Sequence, residues 1–436
     1  MVTILKVHSP KLWRLYQIEK SGVLKEGEKL QSIIGKIKKQ EALYFISYGL
    51  CVFTSILYLT FYYPYFIGLP HRIASVIFVL LAVCQELINS KWNYRSLIGL
   101  GVCAVAFLYM QRTSSSMGQS IMACTVLYIY CGRNIPFHKI AKFTLLVSGA
   151  TLILVILSSL IGIIPNYVIS SGGRTREYLG FRYALYPASV LFNMTCLYVY
   201  VRKKKITLME CIILLAVNFG MYYKTDSRTT FMLAIVVLMG ALVLKYAPSI
   251  LEKWKFVVWP LIFSFVICGV ISLGLTLGYN DSVPWMNSLN QALSNRISLG
   301  QNSLNEYGVS MFGEEIYWVG NGLNEKGEES TKTYTWVDCC YIQILQIYGV
   351  AFFAVFLFIT VIAMREFYKA KAYHLMIIMT CIALRCVIDD LSQYFYLNTF
   401  WIAVGIVFYR WSKRRIKKLK KRYLPRLEGL LKGQTH

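Results

Sequence analysis

The sequence predicts an all-α polytopic membrane protein with about twelve transmembrane helices and one large, partly helical extracytoplasmic loop. Three observations predict it. Of 436 residues, 56% are apolar and only 15% charged, whereas soluble domains carry roughly 25% charged residues. Aromatic residues reach 15%, which excludes a disordered chain. Apolar runs of near-spanning length recur between short polar linkers, and only helices satisfy their own backbone groups in a bilayer core.

Residues 1–42 are basic and polar with no early apolar core, so no cleavable leader is predicted. Residues 11–40 interleave Lys and Arg with Trp13, Leu15, Ile18, Leu30, Ile33, Ile34 and Ile37. They read as a cytoplasmic amphipathic helix on anionic lipid, or as a solvated flank that fixes orientation. Nine spans fill 43–277, at 43–62, 73–89, 96–111, 117–131, 143–164, 183–201, 206–222, 230–246 and 256–277. The large loop is 278–339. Three more spans fill 340–410, at 340–363, 374–388 and 395–409, and 411–436 is a basic cytoplasmic tail.

The net charge of +25 fits topology better than nucleic acid. With the N-terminus inside and the spans alternating, inner segments hold 35 Lys and Arg and outer segments 10. That bias predicts a multi-pass protein of the cell membrane with both termini cytoplasmic. Ten of the 12 cysteines fall within or at the ends of apolar spans. No spacing suggests a disulfide framework or a zinc site, and no phosphate loop or dinucleotide fingerprint is present. No metal or cofactor is therefore expected.

The loop contains Trp285, Leu289, Leu293, Ile297, Tyr307 and Trp318. That apolar content predicts a folded cap. Residues 284–307 read as one amphipathic helix, or a pair with a break near Gly300, and GNGL at 320–323 as a tight turn. Outer segments also carry arginines against the topology bias: Arg174, Arg176 and Arg182 in 170–187, Arg228 in TDSRTT, and Arg296 in SNRISLG. Guanidinium is planar, permanently charged and suited to phosphate oxygens. Salt bridges such as Arg228 with Asp226, or Arg176 with Glu177, are the plain alternative. Asp338 sits where the loop enters the tenth span, as a general base or a helix N-cap. Asp389 and Asp390 follow the eleventh span, where Arg385 is placed to pair with Asp389 one turn on. Glu86 and Glu210 fit near cytoplasmic helix ends.

From 140 to 410 the chain resembles the O-antigen polymerase and O-antigen ligase superfamily, and most closely the capsule or exopolysaccharide repeat-unit polymerases. The resemblance rests on an ordered series. LGFRYALYP comes first, then S-R-T at Arg228, then N-R-I-S-L at Arg296 with a G-x-G-L turn. D-x-x-Y-x-x-x-L-x-x-x-G follows from Asp338 through Tyr341 to Gly349, and the Asp-bearing segment ending in Y-x-Y-L-N-T-F closes the series. In ligases the position of Asp338 is usually His, so aspartate points to the polymerase branch. At 186–188 the chain has Tyr-Pro-Ala where the family commonly has His-Pro-Asn, and no role carries over from that asparagine.

The resemblance implies a metal-independent glycosyltransferase acting at the outer face without nucleotide. It moves a growing glycan from undecaprenyl diphosphate onto a lipid-linked repeat unit. The alternatives are an O-antigen-type ligase or a non-enzymatic transporter of lipid-linked oligosaccharide. Implied partners are the undecaprenyl-diphosphate-linked oligosaccharide, membrane lipid, and a chain-length regulator and flippase of the same pathway, with no nucleic acid. Arg228 and Arg296 are expected to clamp the diphosphate, with Arg174, Arg176 and Arg182 assisting. Asp338 is the expected base, and Tyr341, Asp389 and Asp390 are expected to touch substrate. Removing one strong donor to the leaving group costs about 3–4 kcal/mol of transition-state stabilisation.

Overall fold

A computed structural model describes residues 41–114, 121–171 and 173–432. The expected amphipathic segment at 11–40 and the first residues of the expected span 117–131 lie outside them. Each of the twelve apolar stretches contains helix. In chain order these are α1 (Glu41–Tyr58), α2 (Leu69–Ser90), α3 (Tyr94–Arg112), α4 (Thr125–Gly132) and α5 (Phe137–Leu160). Next come α6 (Leu185–Arg202), α7 (Leu208–Thr225), α8 (Arg228–Tyr246) and the short α9 (Ile250–Lys253). They continue with α10 (Lys255–Ile262), α11 (Ser264–Leu277), α12 (Pro284–Ala292) and α13 (Arg296–Tyr307). The last are α14 (Cys340–Lys369), α15 (Tyr373–Arg385) and α16 (Phe400–Lys432).

The chain is an all-α membrane protein. Among the described residues, six helices are long and apolar enough to cross a bilayer: α1, α2, α3, α5, α8 and α14. The pair α10–α11, bent by 58°, makes a seventh if it is one broken span. Pro260 lies in α10 just before the bend, where it removes a helical hydrogen bond. On α2 and α3, only 22% and 17% of the apolar stretch is buried. Ile73, Val76 and Leu80 on α2, and Val102, Val105 and Leu108 on α3, are exposed. Apolar faces this extensive need lipid around them.

α6 is the centre of the bundle. It packs on α5, α7, α8 and α15, and most of its side chains are buried. Polar residues tie it in. Asn193 donates from Nδ2 to Thr399 Oγ1 at 3.0 Å and accepts from the Thr399 amide at 3.2 Å. Asn218 of α7 donates to Thr195 Oγ1 at 2.9 Å. Such pairs join helices where apolar burial gives no driving force between them.

Three local expectations change. Residues 168–177 form a two-stranded antiparallel hairpin, Val168–Ser171 with Arg174–Glu177, which the periodicity did not predict. The helix pair in the loop breaks at 293–295, not at Gly300. Ser294 and Asn295 take φ of 56° and 62° there, whereas Gly300 lies buried inside α13. The GNGL segment is not a turn and is tied to the segment entering α6 through Leu323 N–H to Arg182 C=O at 2.8 Å. The turn falls later, where the Gly327 amide reaches Asn324 C=O at 3.1 Å.

α14 kinks at Gly349, with φ of 82° and ψ of 172°. The loop fills the break. Val350 and Ala351 donate to the carbonyls of Ser310 and Met311, both at 3.1 Å, and Glu314 donates to Gln346 C=O at 3.1 Å. A Cβ at Gly349 would lie 2.4 Å from the Gly313 nitrogen. Gly349→Ala is therefore expected to cost at least about 1–3 kcal/mol from the backbone conformation alone, with the clash added. A thermal melt of the purified variant within a degree of the parent would contradict this.

Candidate functional site

Four segments converge at the end of the bundle where α6 and α14 begin. They enclose a cavity of about 310 Å³, bounded by the end of α1, residues 182–186, the extended 320–338 chain and the 390–397 connection. That is the lower end of the roughly 300–1,000 Å³ of small-molecule sites. Tyr58, Tyr186, Tyr334, Trp336, Tyr394 and Tyr396 supply aromatic wall. Arg182, Asp338 and Asp390 supply charge or acid.

Arg182 is fixed before any ligand arrives. Its amide donates to Leu59 C=O and its Nε to Leu323 C=O, each at 2.9 Å. Its guanidinium lies over the Tyr63 ring, 3.7 Å from the centroid. The terminal nitrogens have no hydrogen-bond partner among the described residues, and the side chain borders the cavity.

Asp338 does not cap α14. Cys339 occupies the cap position, and α14 has no side-chain cap hydrogen bond there. The Asp338 carboxylate instead accepts from Arg296 Nε at 3.2 Å and from the Tyr334 hydroxyl at 2.9 Å. Burial pushes this carboxyl above its ordinary range, and Arg296 and Tyr334 offset only part of the rise. Arg296 is itself half-buried. Desolvation works against its charge, but Asp338, with Tyr183 and Asp389, more than compensates and raises its pKa.

Arg296 owes its position to Asn290 of α12. The Asn290 Oδ1 accepts from the amides of Ile297 and Ser298, both at 3.1 Å. It thus does the work of an N-cap for α13 from outside the helix.

Asp390 is 3% exposed, and its Oδ2 has no hydrogen-bond partner. Burial, then the charges of Asp338 and Asp389, push its carboxyl well above the carboxylate range; a side-chain hydrogen bond with Trp336 opposes this. These effects favour its neutral form, which can donate a hydrogen bond. Asp389 has a different task. It pairs with Arg385 at 2.7 Å, as the spacing suggested, and accepts the Leu391 amide at 2.7 Å. Arg385 also donates to Ser189 Oγ at 2.5 Å. This buried pair holds the connection that presents Asp390.

Several expected site residues stand elsewhere. Arg228 does not line this cavity. Its side chain is 61% exposed and pairs with Asp226 at 3.1 Å. Arg174 shares that same carboxylate. The Arg228–Arg296 clamp is thus not assembled, because Asp226 holds the first guanidinium and Asp338 the second. Glu177 pairs with Lys224 at 2.9 Å rather than with Arg176. The Nε of Arg176 is buried without a hydrogen-bond partner. Its charge, like those of Arg296, Asp338 and Asp389, acts on Tyr183 in the cavity wall. Tyr341 is fully buried, donates to Ala383 C=O at 2.9 Å and does not line the cavity.

Sequence reasoning missed Tyr334, Asn290 and most of the aromatic wall. The one available signal was the tyrosine density of YLNTF and its flanks. Among the described residues, no three His, Cys, Asp or Glu side chains come together as a metal site. Comparisons of the chain with protein-family models, curated proteins and solved structures find no match.

Proposed function

We propose that this cavity is the transfer site of a polysaccharide repeat-unit polymerase. In this reading the chain crosses the membrane twelve times with both termini cytoplasmic, and the 278–339 loop and the cavity face outward. The donor is a glycan on undecaprenyl diphosphate and the acceptor a lipid-linked repeat unit. One observation carries the reading. A buried carboxylate, Asp338, sits between Arg296 and Tyr334 at the wall of an aromatic cavity that also holds Arg182. Aromatic faces suit the apolar faces of sugar rings, and guanidinium suits phosphate oxygens.

The chemistry follows from these groups. The acceptor hydroxyl oxygen attacks the anomeric carbon of the donor, and its proton passes to Asp338. The bond from that carbon to the diphosphate oxygen breaks, and the electron pair leaves with the diphosphate. Arg182 meets the developing charge, and the positive charge of Arg176 behind the Tyr183 wall adds to the field. Protonation of Asp338 also releases Arg296 from its ion pair just as negative charge grows nearby. The neutral Asp390 donates to a sugar hydroxyl and fixes the ring.

Products in cells test the reading. Cells lacking the protein are expected to accumulate single repeat units on the lipid carrier. Accumulation of finished lipid-linked polymer would contradict a polymerase and favour a ligase. Accumulation of units on the inner leaflet alone would favour a transporter.

A further inference from the structure

A second cavity, about 880 Å³, lies at the other end of α14, between its last turns and α16. Thirty residues of α14 put roughly 40 Å between the two sites. Lys369, Arg410, Lys413, Arg414, Arg415 and Lys417 border it, against the single carboxylate Glu366. Glu366 is already spent on Lys369, at 3.1 Å, and on Arg414. Arg410 donates to the Arg133 carbonyl at 3.2 Å. That leaves Lys413, Arg415 and Lys417 with no carboxylate partner among the described residues.

Like charges gathered around one cleft repel each other, and an anion relieves that repulsion. The cleft also has an apolar wall of Phe367, Val407 and Trp411. Trp411 stacks on Phe408, with ring centroids 5.6 Å apart, just where α16 changes from apolar to basic. Tryptophan at such a boundary belongs to the headgroup level of a bilayer. We propose that this cleft binds the phosphate of an anionic lipid headgroup, whose acyl chain descends along Phe367 and Val407. Free phosphate shares the charge chemistry but has no use for the apolar wall. The site does not depend on the proposed polymerase activity.

The test uses the full chain purified in detergent, with dioleoylphosphatidylglycerol or dioleoylphosphatidylcholine added, and native mass spectrometry to count retained lipid. Phosphatidylglycerol is expected to be retained in preference to phosphatidylcholine. Lys413→Gln with Lys417→Gln removes two partnerless charges and is expected to weaken that retention roughly thirty-fold. Lys413→Arg with Lys417→Arg keeps the charge and is expected to keep the lipid. Equal retention of both lipids, or no change in the glutamine pair, would overturn the site. Displacement of the lipid by millimolar inorganic phosphate would overturn the lipid as the source of the phosphate.

Discussion

Asp338→Asn is expected to lower polymer formation by about 10²–10⁴-fold, the range for loss of a positioned general base. Asparagine has nearly the same shape and still accepts from Tyr334, but it takes no proton. Arg228→Ala is expected to stay within a few fold of the parent, since that side chain lies outside the cavity on its own ion pair. Initial rates on a lipid-linked donor, at matched protein level, separate the two. The same base sets a pH dependence. As the proposed base, Asp338 would work only when ionised, and burial raises its pKa. The rate is therefore expected to fall as pH drops through a value above the ordinary aspartate pKa of about 3.9. An acid limb at or below that value would argue against Asp338. So would a fully active asparagine variant.

Arg385→Ala is expected to be the most destabilising single change. Arg385 is 1% exposed, and its loss leaves the Asp389 carboxylate buried without a counter-charge. Breaking a buried pair by removing one partner costs about 3–5 kcal/mol. Replacing both partners is expected to recover most of that loss. Arg385→Met with Asp389→Asn removes both charges, and the asparagine oxygen still accepts the Leu391 amide. Intrinsic-fluorescence melts in lipid nanodiscs give the comparison. Two variants that melt together would show that the pair has no role in holding the 386–399 connection.

The apolar helices were legible because their signal is local. Each stretch of hydrophobic sequence became helix, and their ends moved by only a few residues in most cases. What stayed hidden was set by contacts between distant segments. α6 reads like any other apolar span, yet Ser189, Asn193 and Thr195 turn it into the centre of the bundle. The break before Arg296 fell on Ser294 and Asn295, two residues without glycine's freedom at positive φ. Asn290 rewards that turn with the hydrogen bonds that start α13. Gly300 reads as a breaker but serves close packing against Ile342 and Thr276.

The site was half legible. Charge sidedness singled out a class of arginines, of which Arg182 borders the cavity and Arg296 pairs with Asp338 on its wall. It carried no information on which carboxylate each arginine would meet. Asp226 captured Arg174 and Arg228, and Asp338 captured Arg296. The cavity was left to Arg182, with the buried Nε of Arg176 nearby. Tyr58 and Tyr394 come from opposite ends of the chain, so no spacing rule could have placed them in one wall.

The most direct measurement is reconstitution. Purified protein in nanodiscs is mixed with a synthetic undecaprenyl-diphosphate repeat unit alone, with no nucleotide sugar, and the products are resolved by length. The account expects a ladder of lipid-linked polymer from the parent chain, and single units only from the Asp338→Asn and Arg182→Ala proteins. No ladder from active, folded parent protein would contradict transfer from the lipid diphosphate. A ladder of undiminished length and rate from both variants would contradict this cavity as its site.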